Sequence, residues 1–96
     1  MLESKFQASL IREIKDMIPG CVILKNDPNY IQGFPDLLVL YGQKWAALEC
    51  KRSENEHRQP NQEYYVSALN KMSYARFVYP ENKEDILNEL QQTLKS

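Results

Sequence analysis

The segment from residue 33 to residue 51 constrains the fold most, because its two apolar runs are joined by a Gly-Gln pair. Gly42 stands at the first central position of that pair, which suits a two-residue type II′ hairpin turn. In such a hairpin, directly facing residues have position numbers with a constant sum, so Asp36 is predicted to face Glu49. The sequence therefore predicts two antiparallel strands with an acidic pair at their open end.

Charge in this hairpin is confined to its open end and to Lys44 beside the turn. Side chains alternate along a strand, so Lys51 joins Asp36 and Glu49 on one face while Cys50 points to the other. Two opposed carboxylates repel each other, and a hard divalent cation such as Mg²⁺ would offset that repulsion. Lys51 would then hold a water or stabilise charge on a phosphate. The alternative is a structural ion pair between Lys51 and one acid at a sheet edge.

The rest of the chain alternates between helical and extended patterns. Apolar spacing predicts helices over 2–18 and 60–72 and a last helix after the turn at 80–82. Apolar runs predict strands over 21–24 and 75–79. Because the hairpin is apolar on both faces, its sheet should be covered on both sides. We therefore expect one α/β domain over 1–96, in αβββαβα order, with a small mixed β-sheet flanked by helices on both faces.

Composition excludes several classes of protein. Apolar residues are 43% and charged residues 26% of the chain, as in ordinary globular domains. The net charge of −1 argues against a general nucleic-acid coat protein. Neither a membrane-spanning run nor a signal-peptide core is present, so we expect a cytoplasmic chain with no membrane partner. Cys21 and Cys50 are expected to be reduced, and a zinc site is disfavoured.

Two motifs in the hairpin resemble a known family. Pro35-Asp36, a spacer and then Glu49-Cys50-Lys51 are similar to the signature of the PD-(D/E)XK nuclease superfamily, and residues 33–38 resemble its VRR-NUC branch. The resemblance covers nearly the whole chain and implies a restriction-endonuclease-like core. The residues that match the family pattern are, in order, Glu3, Asp36, Glu49, Lys51 and Gln62.

The resemblance implies a metal-dependent endonuclease that hydrolyses phosphodiester bonds in DNA, in particular branched DNA such as four-way junctions. Stand-alone VRR-NUC proteins resemble Holliday-junction resolvases, so it also implies a homodimer. Asp36, Glu49 and the backbone carbonyl of Cys50 would hold Mg²⁺ or Mn²⁺. Lys51 would position the attacking water or stabilise the developing charge.

The two outer residues of the pattern each have a second interpretation. Glu3 either places a favourable charge at the helix N-terminus or reaches the metal through water or a second metal. Gln62 either orders water beside Lys51 or is an exposed residue of a first helical turn.

Polar loops on either side of the hairpin supply candidate DNA contacts. For each of these residues, a simple solvated position is the alternative. The candidates are Lys25, Asn26, Arg52, His57 and Arg58.

Two functions of other classes remain open at this stage. One is a module that binds branched DNA without cutting it, and the other is a protein-interaction domain, which the pI near 5.8 favours. The intact acids and Lys51 argue against the first. Apolar aromatics that could form a dimer interface are Tyr30, Phe34, Tyr64 and Tyr74.

Overall fold

The computed structural model describes residues 2–96, which form three helices and four strands in the order αβββαβα. This order and the α/β class confirm the prediction. None of the helices in this range is long and apolar enough to cross a membrane. The elements are α1 (Glu3–Met17), β1 (Val22–Lys25), β2 (Leu37–Tyr41), β3 (Lys44–Cys50), α2 (Pro60–Met72), β4 (Tyr74–Val78) and α3 (Lys83–Leu94).

The strands form one mixed sheet in the order β1-β2-β3-β4. β1, β2 and β3 pair antiparallel, whereas β3 and β4 run parallel. Tyr41 pairs with Lys44 and Leu37 with Leu48, which is the register predicted from the turn. Gly42 has a φ of 61° while Gln43 does not share the positive φ, as a type II′ turn requires.

Helices cover both faces of the sheet, as the two-sided apolar pattern of the hairpin predicts. α1 and α3 bury one face, with Leu10, Leu48 and Leu90 fully inaccessible. α2 covers part of the other face, where Val66 packs with Ala47 and Ala75. The predicted helix and strand boundaries are reproduced to within a residue or two, because the apolar stripes that define them are the residues that the sheet buries.

The core also contains one of the two cysteines. Cys50 is buried and Cys21 is half-buried, and both are free thiols, as expected. Burial raises the pKa of Cys50, with the nearby charge of Asp36 adding to the effect. Cys50 is therefore a buried small residue whose backbone N–H donates to Asp36.

Candidate active site

A pocket of about 590 Å³ opens at the end of the hairpin away from its turn. It brings together residues from the start of α1, the approach to β2, the end of β3, the loop that follows β3 and the first turn of α2. All five residues of the predicted pattern are among those that line it. The lining residues are Glu3, Asp36, Glu49, Lys51, Arg52, Asn55, Glu56, His57, Gln59 and Gln62.

Asp36 is held at the end of β3 by the backbone. The Cys50 N–H donates to Asp36 Oδ2 over 2.9 Å, which places this carboxyl group directly beside that of Glu49. Burial raises the pKa of Asp36, while the hydrogen bond from Cys50 and the charge of Lys51 act in the opposite direction. The negative charge of Asp36 also acts on Glu49, because both acids line the same pocket.

Glu49 is the more perturbed member of this acidic pair. Its residue is only 4% exposed. Burial, followed by the negative charge of Asp36, raises the pKa of Glu49 to about 8. Protonation of Glu49 is therefore favoured near neutral pH, because a second negative charge beside Asp36 in a buried site is costly, and a bound cation would offset the same repulsion.

Lys51 lies beside the pair and is also only 4% exposed. Its Nζ donates to the backbone carbonyl of His57 over 3.0 Å and to Gln62 Oε1 over 2.7 Å. A lysine ammonium has three N–H donors, so one is left for an oxygen inside the pocket. The nearest anionic group is Glu56, whose Oε2 is 3.9 Å from Nζ.

Gln62 joins the lysine to the acidic pair. α2 begins at Pro60, and Gln62 Oε1 accepts a hydrogen bond from the Gln59 N–H over 3.0 Å as well as the one from Lys51. Its Nε2 donates to Glu49 Oε2 over 3.0 Å. Because both donors face Oε1 and a carboxyl group faces Nε2, the amide has one favourable orientation. Gln62 therefore projects towards Lys51 and is not simply an exposed residue of a first helical turn.

The donor set suits a hard cation. Asp36 and Glu49 supply carboxylate oxygens, and the Cys50 carbonyl lies on the same strand edge as its N–H, towards Asp36. Within residues 2–96, no group of three or more His, Cys, Asp or Glu side chains is arranged to hold a metal. Mg²⁺ commonly takes only one or two carboxylates, with water and phosphate oxygens completing its shell. The two acids therefore fit such an ion.

Glu3 lies in the same pocket, at the start of α1. Its pKa is raised by burial and then by the charges of Glu56 and Asp36. The charge of Glu3 is therefore coupled to those of Asp36 and Glu56 across the pocket.

Some of the residues predicted to contact DNA line the pocket, and the others lie outside it. Arg52 and His57 line the pocket. Arg58 is turned away from it, with its guanidinium 4.0 Å from the centre of the Phe77 ring. Lys25 is exposed at the end of β1 and does not line the pocket.

Asn26 also lies outside the pocket, and it hydrogen-bonds to the segment that carries Asp36. Its backbone N–H donates to the Asp36 carbonyl over 2.8 Å. Its side-chain Nδ2 donates to the Pro35 carbonyl over 2.7 Å. These two bonds make Asn26 a residue that positions Asp36.

Three pocket residues were not among the predicted site residues, namely Asn55, Glu56 and Gln59. They lie in a polar loop without periodicity, so the sequence offers little to separate them from their solvated neighbours. One signal is present, because Glu56 follows Arg52 by four residues and the two form an ion pair.

Solved structures with the same fold carry nuclease names. A "VRR_NUC domain protein" is 18% identical with a TM-score of 0.72, covering 99% of this chain and 89% of its own. A second "VRR_NUC domain" is 22% identical with a TM-score of 0.69, covering 94% of each chain. Hjc of Archaeoglobus fulgidus, a Holliday junction resolvase, is 12% identical with a TM-score of 0.54, covering 79% of this chain and 67% of its own.

No family model and no curated protein matches the sequence. The likeness therefore rests on the three-dimensional arrangement of the elements, at identities that establish the fold. It agrees with the resemblance that the hairpin motifs carry. This chain has the restriction-endonuclease-like fold of the VRR_NUC domain.

Proposed function

We propose that this chain is a metal-dependent endonuclease that hydrolyses phosphodiester bonds in branched DNA, such as four-way junctions, as a homodimer. One observation carries the proposal: Asp36, Glu49 and Lys51 share one pocket, and Gln62 hydrogen-bonds to both Glu49 and Lys51. Buried acids with raised pKa values beside a buried lysine are typical of catalytic sites. The fold shared with VRR_NUC domains and with a Holliday junction resolvase supports the same reaction class.

The acidic pair would be the metal site. Asp36, Glu49 and the backbone carbonyl of Cys50 would hold Mg²⁺ or Mn²⁺, and Glu3 would act through water or on a second metal. Such an ion, when bound, polarises the phosphate and lowers the pKa of a water. Asp36 accepts a hydrogen bond from the Cys50 N–H, and Glu49 accepts one from the side chain of Gln62. These two bonds hold both carboxyl groups in place before an ion binds.

Lys51 would act on the phosphate or on the attacking water. Its two bonds, to His57 and Gln62, hold the ammonium in place and leave one N–H to donate. A preorganised donor of this kind stabilises charge that develops in the transition state, because no reorganisation is needed at the moment of reaction. Gln62 is then a positioning residue for both Lys51 and Glu49.

DNA would approach over the loop after β3. Arg52 and His57 line the pocket and are exposed, so both can reach the sugar-phosphate backbone. Arg58, held on Phe77, and Lys25 would contact the backbone further from the scissile bond. Asn26 supports Asp36 and is the weakest of the predicted contacts, because its side chain already bonds Pro35.

A homodimer would supply the two sites that symmetric cuts in a junction require, since each chain carries one Asp36–Glu49 pair. Of the aromatic interface candidates, Tyr30 and Tyr64 are exposed, while Tyr74 is buried and is excluded from an interface. The outer edge strand β1 adds two exposed apolar residues, Val22 and Leu24. Sedimentation equilibrium tests this part, and a monomer at tens of micromolar would contradict it.

Cleavage of a labelled four-way junction, beside linear duplex, tests the enzyme. We expect cuts with Mg²⁺ or Mn²⁺, none in EDTA, and a loss of about 10²–10⁴-fold in Asp36→Asn. Asp16→Asn, on the exposed side of α1, is the matched control and should cut like wild type. Cutting that survives in Asp36→Asn would refute the assignment, and cutting of linear duplex alone would remove the junction preference.

A further inference from the structure

The side chain of Glu56 folds back onto its own loop. The Arg52 backbone N–H donates to Glu56 Oε1 over 2.5 Å, and the Arg52 Nε is 3.5 Å from the same oxygen. The Glu56 N–H in turn donates to the Ser53 carbonyl over 3.3 Å. The carboxylate thus closes a turn over residues 52–56 and does not extend into solvent.

The other oxygen of Glu56 points towards Lys51. The separation between Glu56 Oε2 and Lys51 Nζ is 3.9 Å, and the Glu56 side chain is only 21% exposed. One carboxylate therefore meets a backbone N–H, a guanidinium and an ammonium. Backbone N–H groups and basic side chains are the donors that proteins use to bind the phosphates of a nucleic acid.

The contacts of the Glu56 carboxylate described above are all with a backbone N–H or with basic groups. Towards the other acids Glu56 adds repulsion, because its charge contributes to the raised pKa values of Glu3 and Asp36. Four acidic side chains and two basic ones, Lys51 and Arg52, line the pocket, so an incoming phosphate would meet an excess of negative charge.

We propose that the Glu56 carboxylate occupies the position of a substrate phosphate, and that a backbone phosphate of the DNA displaces it to reach Lys51 and Arg52. This inference rests on the proposed nuclease function for its substrate class. Displacement frees both basic groups and removes one negative charge from the pocket. Glu56 is then an internal competitor that lowers DNA affinity in the resting protein.

Glu56→Gln and Glu54→Gln test this as a matched pair. Both variants remove one negative charge from the same loop, but Glu54 is exposed and makes none of these contacts. In Glu56→Gln the amide oxygen of the new side chain can still accept from the Arg52 N–H, so the turn is retained. Both are made in the Asp36→Asn chain, which separates binding from cutting, and the Kd for a labelled four-way junction is measured by fluorescence anisotropy.

We expect Glu56→Gln to bind the junction about 3- to 10-fold more tightly than Glu54→Gln, because only the first removes the competitor. Equal affinities, or weaker binding by Glu56→Gln, would overturn the proposal. So would loss of cutting in an otherwise wild-type Glu56→Gln chain with no change in Kd, since Glu56 would then belong to the catalytic machinery.

A second measurement does not depend on DNA. Inorganic phosphate is titrated into each variant while the NMR signal of the Arg52 amide is followed. A saturable shift at lower phosphate concentration in Glu56→Gln than in Glu54→Gln supports displacement, even if neither variant binds the junction and the proposed nuclease function fails. The same phosphate response in both variants would overturn the displacement while leaving the nuclease function standing.

Discussion

The two ends of the β2–β3 hairpin carry charge in opposite surroundings. At the turn, Lys44 is exposed and its ammonium bonds Ser96 near the end of the chain. At the open end, Glu49 and Lys51 are each only 4% exposed. Charges that lose water must gain hydrogen bonds, and among residues 2–96 no buried side-chain N or O atom lacks one. The comparison shows that the elements packed around the open end, and not the strand itself, exclude water from its charges and so give them a distinct chemistry.

The open end is enclosed by three elements that do not reach the turn. The start of α1, the loop after β3 and the first turn of α2 all meet at the open end, whereas Gly42 and Gln43 at the turn are exposed. The hydrogen bonds of Gln62 link two of these elements to the strand. Buried charge in such a setting is costly unless every partner is present, so single substitutions at the two ends should differ in effect.

The largest expected difference is between Lys51→Met and Lys44→Met. Lys51→Met should lower the cleavage rate by about 10²–10³-fold, because a preorganised donor to the phosphate or the water is lost. It should also lower the free energy of unfolding by about 1–3 kcal/mol, since the His57 carbonyl loses its buried donor. Lys44→Met should keep the wild-type rate and change stability by no more than about 0.5 kcal/mol.

Junction cleavage and urea unfolding measure the two effects of the lysine substitutions. Equal cleavage rates in the two lysine variants would mean that Lys51 has no role in the reaction, even if the stability difference appeared.

A second contrast concerns two glycines with positive φ. A Cβ added to Gly33, at φ 87°, would lie 2.3 Å from Asn61 Cβ in the first turn of α2. At Gly42, with φ 61°, an added Cβ meets nothing within 4 Å. Gly33→Ala should cost roughly 2–4 kcal/mol, from strain plus the clash, and Gly42→Ala only about 1–2 kcal/mol.

Gly33→Ala should also reduce cleavage under conditions where the protein is folded, because a shift of Asn61 moves its neighbour Gln62. Gly42→Ala should leave cleavage unchanged. Urea unfolding followed by circular dichroism, with cleavage assayed well below the unfolding midpoint, separates the effects. A Gly33→Ala protein as stable as Gly42→Ala would contradict the close packing of the 26–34 loop on α2.

The smallest expected effect is on the pH dependence of the free energy of unfolding, measured in the absence of metal. Because the pKa of Glu49 is raised from 4.5 to about 8, the folded state holds more protons than the unfolded state between these values. Stability should therefore fall as pH rises through this window. Glu49→Gln removes the ionisation, so it should match wild type near pH 4 and exceed it by about 1–3 kcal/mol near pH 9.

Urea unfolding in EDTA across this pH range checks the Glu49 prediction, with the exposed Glu54→Gln as the control that should follow wild type. A Glu49→Gln protein less stable than wild type at high pH would mean that ionised Glu49 is stabilised by its partners. The buried pair would then be structural.

Much of the site's framework could be predicted from the hairpin alone. A two-residue turn at Gly42 and strict alternation along each strand determine which side chains face one another, and both are local properties. They place Asp36, Glu49 and Lys51 on one face and send Cys50 into the core. Helical spacing likewise predicts α1, α2 and α3, because each apolar stripe must be buried against the sheet.

Only the tertiary structure decided what surrounds the acids. Glu56 between Lys51 and Arg52, Arg58 on Phe77, and Asn26 bonded to Pro35 are contacts of polar loop residues, which no period in the sequence orders. The depth of burial, and with it the pKa of Glu49 near 8, depends on elements distant in sequence closing over one strand end. The sequence by itself therefore determined which residues share a face, because that follows from local geometry. The packing of helix ends and loops determined their chemistry, because desolvation depends on every element that excludes water.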